Sequence, residues 1–334
     1  MKNVFGEVSR ALLSLCFLLS GLIKANDPLG FSYKLGEYAD YFSLPIPHSS
    51  LLTLAAIGVA LFEIFLALLL LFGTRRNLTA HLTLLVVGVL TAFTLFILIA
   101  NPVEDCGCFG DAVKLTNLQT FLKNLVLLAL AVIVFWRRRS IRSLLTFSSH
   151  LLITAVVVIC TLALSLYSFY KLPLVDFRPY KVGADLQQLV LPDEGEPELY
   201  DFYLSYPGGG DATADVLTSE RPVFLLISPY VEKSNRGVVD QVLGTLDFSR
   251  THGYDFYMVT ASTPERVSAI SRFLGDSIPV LRADASLLKT IVRSDPGLLL
   301  LDRGVVLNKW SCHNLPDLQE YSGTTLEQLS RNKQ

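Results

Sequence analysis

The chain has 334 residues, 51% of them hydrophobic and only 17% charged, where soluble domains carry about a quarter charged. That composition excludes an ordinary soluble protein, and a formal net charge of −2 gives no basis for binding nucleic acid. Nearly all long uncharged runs precede about Lys171 and the charges thicken after it, so a membrane part is followed by a water-soluble part.

Five segments are long and apolar enough to span. They run over about Phe5–Ile23, Leu51–Phe72, Leu78–Ala100, Leu118–Trp136 and Leu151–Tyr170, each near the ~20 residues that cross a hydrocarbon core. The first lacks a small-x-small cleavage site and more spans follow, so it is expected as a retained helix. Asn101-Pro102 stops the third, and Thr116 with Gln119 opens the fourth at capping-box spacing.

Arginines and lysines orient the spans. Arg75-Arg76, Arg137-Arg138-Arg139 with Arg142, and Lys2 with Arg10 all fall on one side if the helices alternate, which makes that side cytoplasmic. The loop over 26–50, the loop around Cys106 and everything after Tyr170 then lie outside. The expected location is the inner membrane, with the C-terminal domain in the periplasm.

Within the spans, Glu63 is an acid at mid-membrane depth, where an ionisable group is costly and faces the bundle interior. It reads as a proton-handling or packing-critical site, or as a protonated acid bonded to a neighbouring helix. Cys16 and Cys160 lie deep in spans one and five as small hydrophobes. His81 sits near the inner end of span three. Lys24 and Lys123 lie near the outer ends, where their stems can snorkel to the interface.

Between spans three and four lies Asn101-Pro-Val-Glu-Asp-Cys-Gly-Cys-Phe-Gly-Asp111, which holds two of the five cysteines. Disulfide exchange needs one thiolate to attack and a second thiol to resolve the mixed disulfide. Cys106 and Cys108 provide both if Gly107 turns the chain between them. Glu104, Asp105 and Asp111 oppose thiolates and are expected to raise both thiols. Two other readings stay open: a structural staple, and half of a metal site with His48 as the only nearby outer histidine.

Several stretches resemble the MauE/DoxX family of four-helix membrane proteins. They are the run from Arg10 to Lys24 with Asp27-Pro28-Leu-Gly30, Phe62-Glu63-Ile-Phe ahead of Leu71-Phe-Gly73, and Cys106-Gly-Cys-Phe-Gly110. The resemblance covers about the first 140 residues. MauE-type proteins are associated with methylamine utilisation, where they support disulfide formation in a partner enzyme outside the cytoplasm. It therefore implies redox chemistry at the Cys106–Cys108 loop, while nothing in these residues points to methylamine.

From Asp176 onward, short strands alternate with amphipathic helices. Strands are expected at 221–228, 254–260, 278–282 and in a hairpin ending at Trp310, with helices near 237–249, 267–274, 284–292 and 316–321. This order is similar to the thioredoxin-like fold, and Pro296 sits where that family carries its cis-proline. The place of its Cys-x-x-Cys reads Ser228-Pro-Tyr-Val-Glu-Lys-Ser-Asn235, with no cysteine between Cys160 and Cys312. Cys312 is a lone thiol.

The expected fold class is a membrane all-α four-helix bundle over 1–145, a fifth transmembrane helix over 146–171, and a soluble α/β thioredoxin-like domain over 172–334. The expected function is extracytoplasmic thiol-disulfide chemistry at Cys106 and Cys108, with the soluble domain docking a client protein and the bundle in the lipid bilayer. The alternative is a non-enzymatic membrane anchor whose soluble domain binds a partner. No cofactor is evident, and a quinone has no motif here beyond Glu63.

Overall fold

The structure, a computed structural model, describes residues 4–46, 50–103, 106–232, 234–268, 278–316, 318 and 328–329. It divides into two compact units, residues 1–169 and 170–334.

The first unit is helical. Among the described residues five helices are long and apolar enough to cross a membrane. These are α1 (Val4–Asn26), α3 (Ser50–Phe72), α4 (Arg76–Ala100), α5 (Asn117–Arg137) and α6 (Phe147–Tyr170). A shorter helix, α2 (Pro28–Tyr41), follows α1. The sequence reading treated this stretch as a loop. Asp27 caps α2 by accepting from the Gly30 N–H, and Pro28 fills its first turn, where a missing N–H costs nothing.

α1 packs along α3 and α5, α4 along α5, and α2 against α3. The α1–α3 contact is close because Gly21 faces it. A Cβ there would lie 2.9 Å from Ile64 Cγ1 and 3.0 Å from the Ala60 carbonyl oxygen. Small residues let apolar helices approach in this way where hydrophobic driving force is weak. Ser14 Oγ adds a 2.8 Å bond to the Ala67 carbonyl. Leu13, Phe17, Leu66, Leu70, Ala131 and Val134 fill the bundle core.

The second unit is a five-stranded mixed sheet. β1 (Val223–Ile227), β2 (Asp255–Thr260), β3 (Val280–Arg282), β4 (Gly297–Asp302) and β5 (Val305–Ser311) lie in the order β3-β2-β1-β4-β5. The β1–β2 and β2–β3 pairs are parallel, whereas β1–β4 and β4–β5 are antiparallel. Central β1 is buried throughout, and its alternate residues feed two cores as the pleat requires. Leu225 and Ile227 meet Leu288 and Ile291 of a helix over Ala285–Ile291, while Phe224 and Leu226 meet Val242 and Leu246 of the helix Val239–His252. Residues 264–268 are helical as expected. The remainder of that element, and most of the expected helix near 316–321, fall outside the described residues.

A charged clamp closes the start of this unit. Arg178 bonds Asp176 through Nε and Nη2, at 2.7 and 2.9 Å, and buried Lys309 reaches the same carboxylate at 2.9 Å. Burial alone would raise the Asp176 carboxyl, but the two cations outweigh it and hold it at about 2.

Candidate functional site

The Cys106–Cys108 loop is closed at its base by side-chain amides. Asn101 ends α4 in the left-handed conformation, φ 45°, which asparagine tolerates. Asn117 Nδ2, at the start of α5, donates to Asn101 Oδ1 at 2.7 Å and to the Val103 carbonyl at 3.0 Å. The capping box foreseen at Thr116 and Gln119 is formed. Gly107 takes φ 68°, a conformation that glycine adopts at no steric cost. A Cβ there would also press to 3.0 Å on Lys34 Cγ of α2.

This turn brings the two sulfurs to 2.8 Å from each other. Both cysteines are free thiols, Cys106 buried and Cys108 half-buried. Two helices hold their backbone. Tyr38 of α2 donates to the Cys106 carbonyl at 3.3 Å, and Ser20 of α1 donates to the Cys108 carbonyl at 2.9 Å. Lys24 Nζ donates to the same Cys108 oxygen at 2.8 Å, to Ser20 Oγ at 2.6 Å, and to both Glu63 oxygens of α3 at 3.0 Å.

Lys24 therefore does not snorkel. It is 4% exposed, because α1 and α3 approach closely enough at Gly21 for its ammonium to find acceptors inside the bundle. Glu63, read from sequence as a proton-handling or packing-critical site or a protonated acid bonded to a neighbouring helix, has Lys24 of α1 as its ion-pair partner. Lys123 lies over the Phe109 ring, 4.5 Å from its centre.

The two thiols diverge in acidity. The hydrogen bond between the two sulfurs raises Cys106 and lowers Cys108. Burial raises Cys108 in turn, but Lys123 and Lys24 add to the lowering and bring it to about 6. The expectation that both thiols would be raised is corrected for Cys108: the hydrogen bond with Cys106 and the two lysines outweigh burial and Glu63. Glu104, Asp105 and His48 lie outside the described residues.

Cys16 is half-buried in α1 and Cys160 is exposed on α6. Cys312 is buried, with its sulfur 3.2 Å from His313 Nδ1 and its N–H bonded to Ser294 Oγ. Ser294 in turn donates to the Pro296 carbonyl, and the Asp295–Pro296 bond is cis. Ser228 and Ser234 both donate to Asp295 Oδ1, at 3.0 and 2.5 Å. Among the described residues no group of three or more His, Cys, Asp or Glu side chains is placed to hold a metal ion.

Sequence reasoning missed Ser20, Tyr38 and Lys34. Ser20 and Lys24 are four apart on α1 and so share a face, a signal that was present. Nothing in the sequence ties Tyr38 to Cys106, since their contact depends on how α2 folds back.

Residues 2–137 match the model of the family described as methylamine utilisation protein MauE. No curated protein and no solved structure matches the chain. The match spans less than half of the sequence and contains α1 to α5 with the cysteine loop. Over that segment this chain is similar to MauE-type membrane proteins, and the whole is a multi-pass helical membrane region joined to a mixed-sheet α/β unit.

Proposed function

We propose that this protein exchanges disulfides with a client protein outside the cytoplasm, using Cys106 and Cys108 as a two-electron pair. The observation that carries the reading is the 2.8 Å approach of two thiols of opposite acidity. One is poised as thiolate and the other keeps the proton until it is needed.

Cys108 is then the sulfur that bonds the client. In the reducing direction its thiolate attacks a client disulfide and expels one client thiolate. Cys106 gives up its proton and attacks the Cys108 sulfur of the mixed disulfide. The second client thiolate leaves, the client gains two electrons, and the pair is left as a disulfide. In the oxidising direction the steps reverse, and Cys108 leaves last. Its lowered pKa makes it the better leaving group. The direction follows from the two potentials, and the MauE similarity supports oxidation of the client.

The arginine clusters at Arg75-Arg76 and Arg137-Arg138-Arg139 support an inner-membrane topology with loop and sheet unit on the periplasmic side, where a disulfide persists. The sheet order and the β4–β5 hairpin support a thioredoxin-like fold. Serines stand at 228 and 234 with no cysteine between Cys160 and Cys312, which supports a docking role rather than a second redox site.

Single-cysteine variants in native membranes test this. Cys106→Ser leaves Cys108 without a resolving thiol and is expected to accumulate a mixed disulfide on non-reducing gels, with Cys108→Ser accumulating less. If neither variant captures a partner and both keep full function, the exchange reading fails. The chain is then a membrane anchor for a partner of its sheet unit.

A further inference from the structure

The Lys24–Glu63 ion pair is more than a fastener between α1 and α3. Two oppositely charged side chains suffice to bridge two helices, yet Lys24 spends a further hydrogen bond on a loop carbonyl. Its ammonium has three N–H groups, and the three neighbours that receive them are Ser20 Oγ at 2.6 Å, the Glu63 carboxylate at 3.0 Å and the Cys108 carbonyl at 2.8 Å. Each acceptor comes from a different element, so the ammonium cannot turn without breaking one of them.

We infer that Lys24 is a positioning residue for Cys108, with Glu63 acting through it and Ser20 beside it, and that it carries a buried positive charge to the redox turn. This rests on the exchange reading above. Lys24 grips the backbone of Cys108 by a charge-assisted bond, stronger than a neutral one. Ser20 grips the same oxygen at 2.9 Å, and Tyr38 holds Cys106 from the other side of Gly107. The approach of the sulfurs depends on these two carbonyls staying in place. Glu63 compensates the ammonium in an apolar setting, where an unpaired charge is costly. The two charges also act on the Cys108 thiol in opposite senses, Lys24 lowering it and Glu63 raising it.

The opposite senses supply the test. The full-length protein in detergent is alkylated with iodoacetamide from pH 4 to 10, and the rate at Cys108 is read by fragmentation mass spectrometry. In Lys24→Met/Glu63→Met, which leaves no orphan charge, the midpoint for Cys108 is expected to rise by about half a pH unit or more, about a threefold loss of thiolate below the midpoint. In Glu63→Gln, which keeps Lys24 and an acceptor, the midpoint is expected to fall. A merely structural ion pair would leave both profiles on that of the unaltered protein, and that result overturns the inference. If the apolar double variant does not fold, Glu63→Gln decides alone, an unmoved midpoint overturning the inference. Reversible oxidation of the unaltered pair is scored separately: its absence removes the exchange reading while the alkylation profiles still report on Lys24.

Discussion

Lys24 of α1 and Glu63 of α3 meet inside the helical unit, the ammonium 3.0 Å from each carboxylate oxygen, their side chains 3% and 12% exposed. Removing one partner of such a pair strands the other in an apolar environment. Lys24→Met is expected to destabilise the bundle by about 3 kcal/mol or more, whereas Lys24→Met/Glu63→Met is expected to lie within about 1 kcal/mol of the unaltered protein. Denaturant titration in detergent, followed by tryptophan fluorescence or circular dichroism, measures both. Equal losses in the two variants would contradict this account of the pair.

The approach of α1 to α3 rests on Gly21. With a Cβ placed at 2.9–3.0 Å from Ile64 Cγ1 and the Ala60 carbonyl, Gly21→Val is expected to push the helices apart at a cost of about 1–3 kcal/mol. It also loosens Lys24 from Cys108, so alkylation at Cys108 shifts with it. Gly58 has nothing within 4 Å of an added Cβ, and Gly58→Ala is the matching control, expected to change neither stability nor alkylation.

Reactivity of the two cysteines is expected to separate with pH. Cys108 is lowered to about 6 by the hydrogen bond with Cys106, against the effect of burial, so its alkylation rises through pH 6 and levels off near neutrality. Cys106 stays protonated over that range. Cys106→Ser replaces the partner thiol and is expected to move the Cys108 midpoint upward. Equal alkylation of both cysteines at pH 7 would contradict the assignment of Cys108 as the thiolate.

The clamp of Asp176 by Arg178 and Lys309 sets an acid dependence for the sheet unit. The carboxyl is held at about 2 when folded and titrates near 4 when unfolded. Its stabilisation is therefore complete above about pH 4 and is lost as pH falls toward 2. Burial already lowers Lys309 to about 7 against the pull of Asp176, so in Asp176→Asn Lys309 is expected to shed its proton at neutral pH, leaving a less stable unit with a flatter acid profile. Thermal unfolding at a series of pH values reads both effects.

Much of the helical unit was legible because apolar runs and their charged or proline stops are local signals. Ser50–Phe72 was expected as 51–72, and Arg76–Ala100 as 78–100. α2 was missed because the polar run after Lys24 was read as a stop, although Asp27-Pro28 carries a helix-start signal. The strands of the sheet were legible from their apolar blocks, but their order was not, since pairing β1 with β4 depends on contacts about 70 residues apart. The cysteine turn was found from two cysteines on a polar loop. Its electrostatics were misjudged because only neighbours in sequence were weighed. The cations that act on Cys108 sit on α1 and α5, and Lys24 meets Glu63 only once α1 has packed on α3.

The central claim is that Cys106 and Cys108 cycle together as one two-electron pair. The most direct measurement equilibrates the purified full-length protein in glutathione buffers of increasing oxidised fraction, quenches with acid and weighs the peptide that contains both cysteines. The expected result is a single reversible transition between a dithiol and a species two hydrogens lighter, abolished by either Cys106→Ser or Cys108→Ser. A peptide that remains dithiol in the most oxidising buffer, or carries glutathione on one cysteine without closing, would contradict the claim.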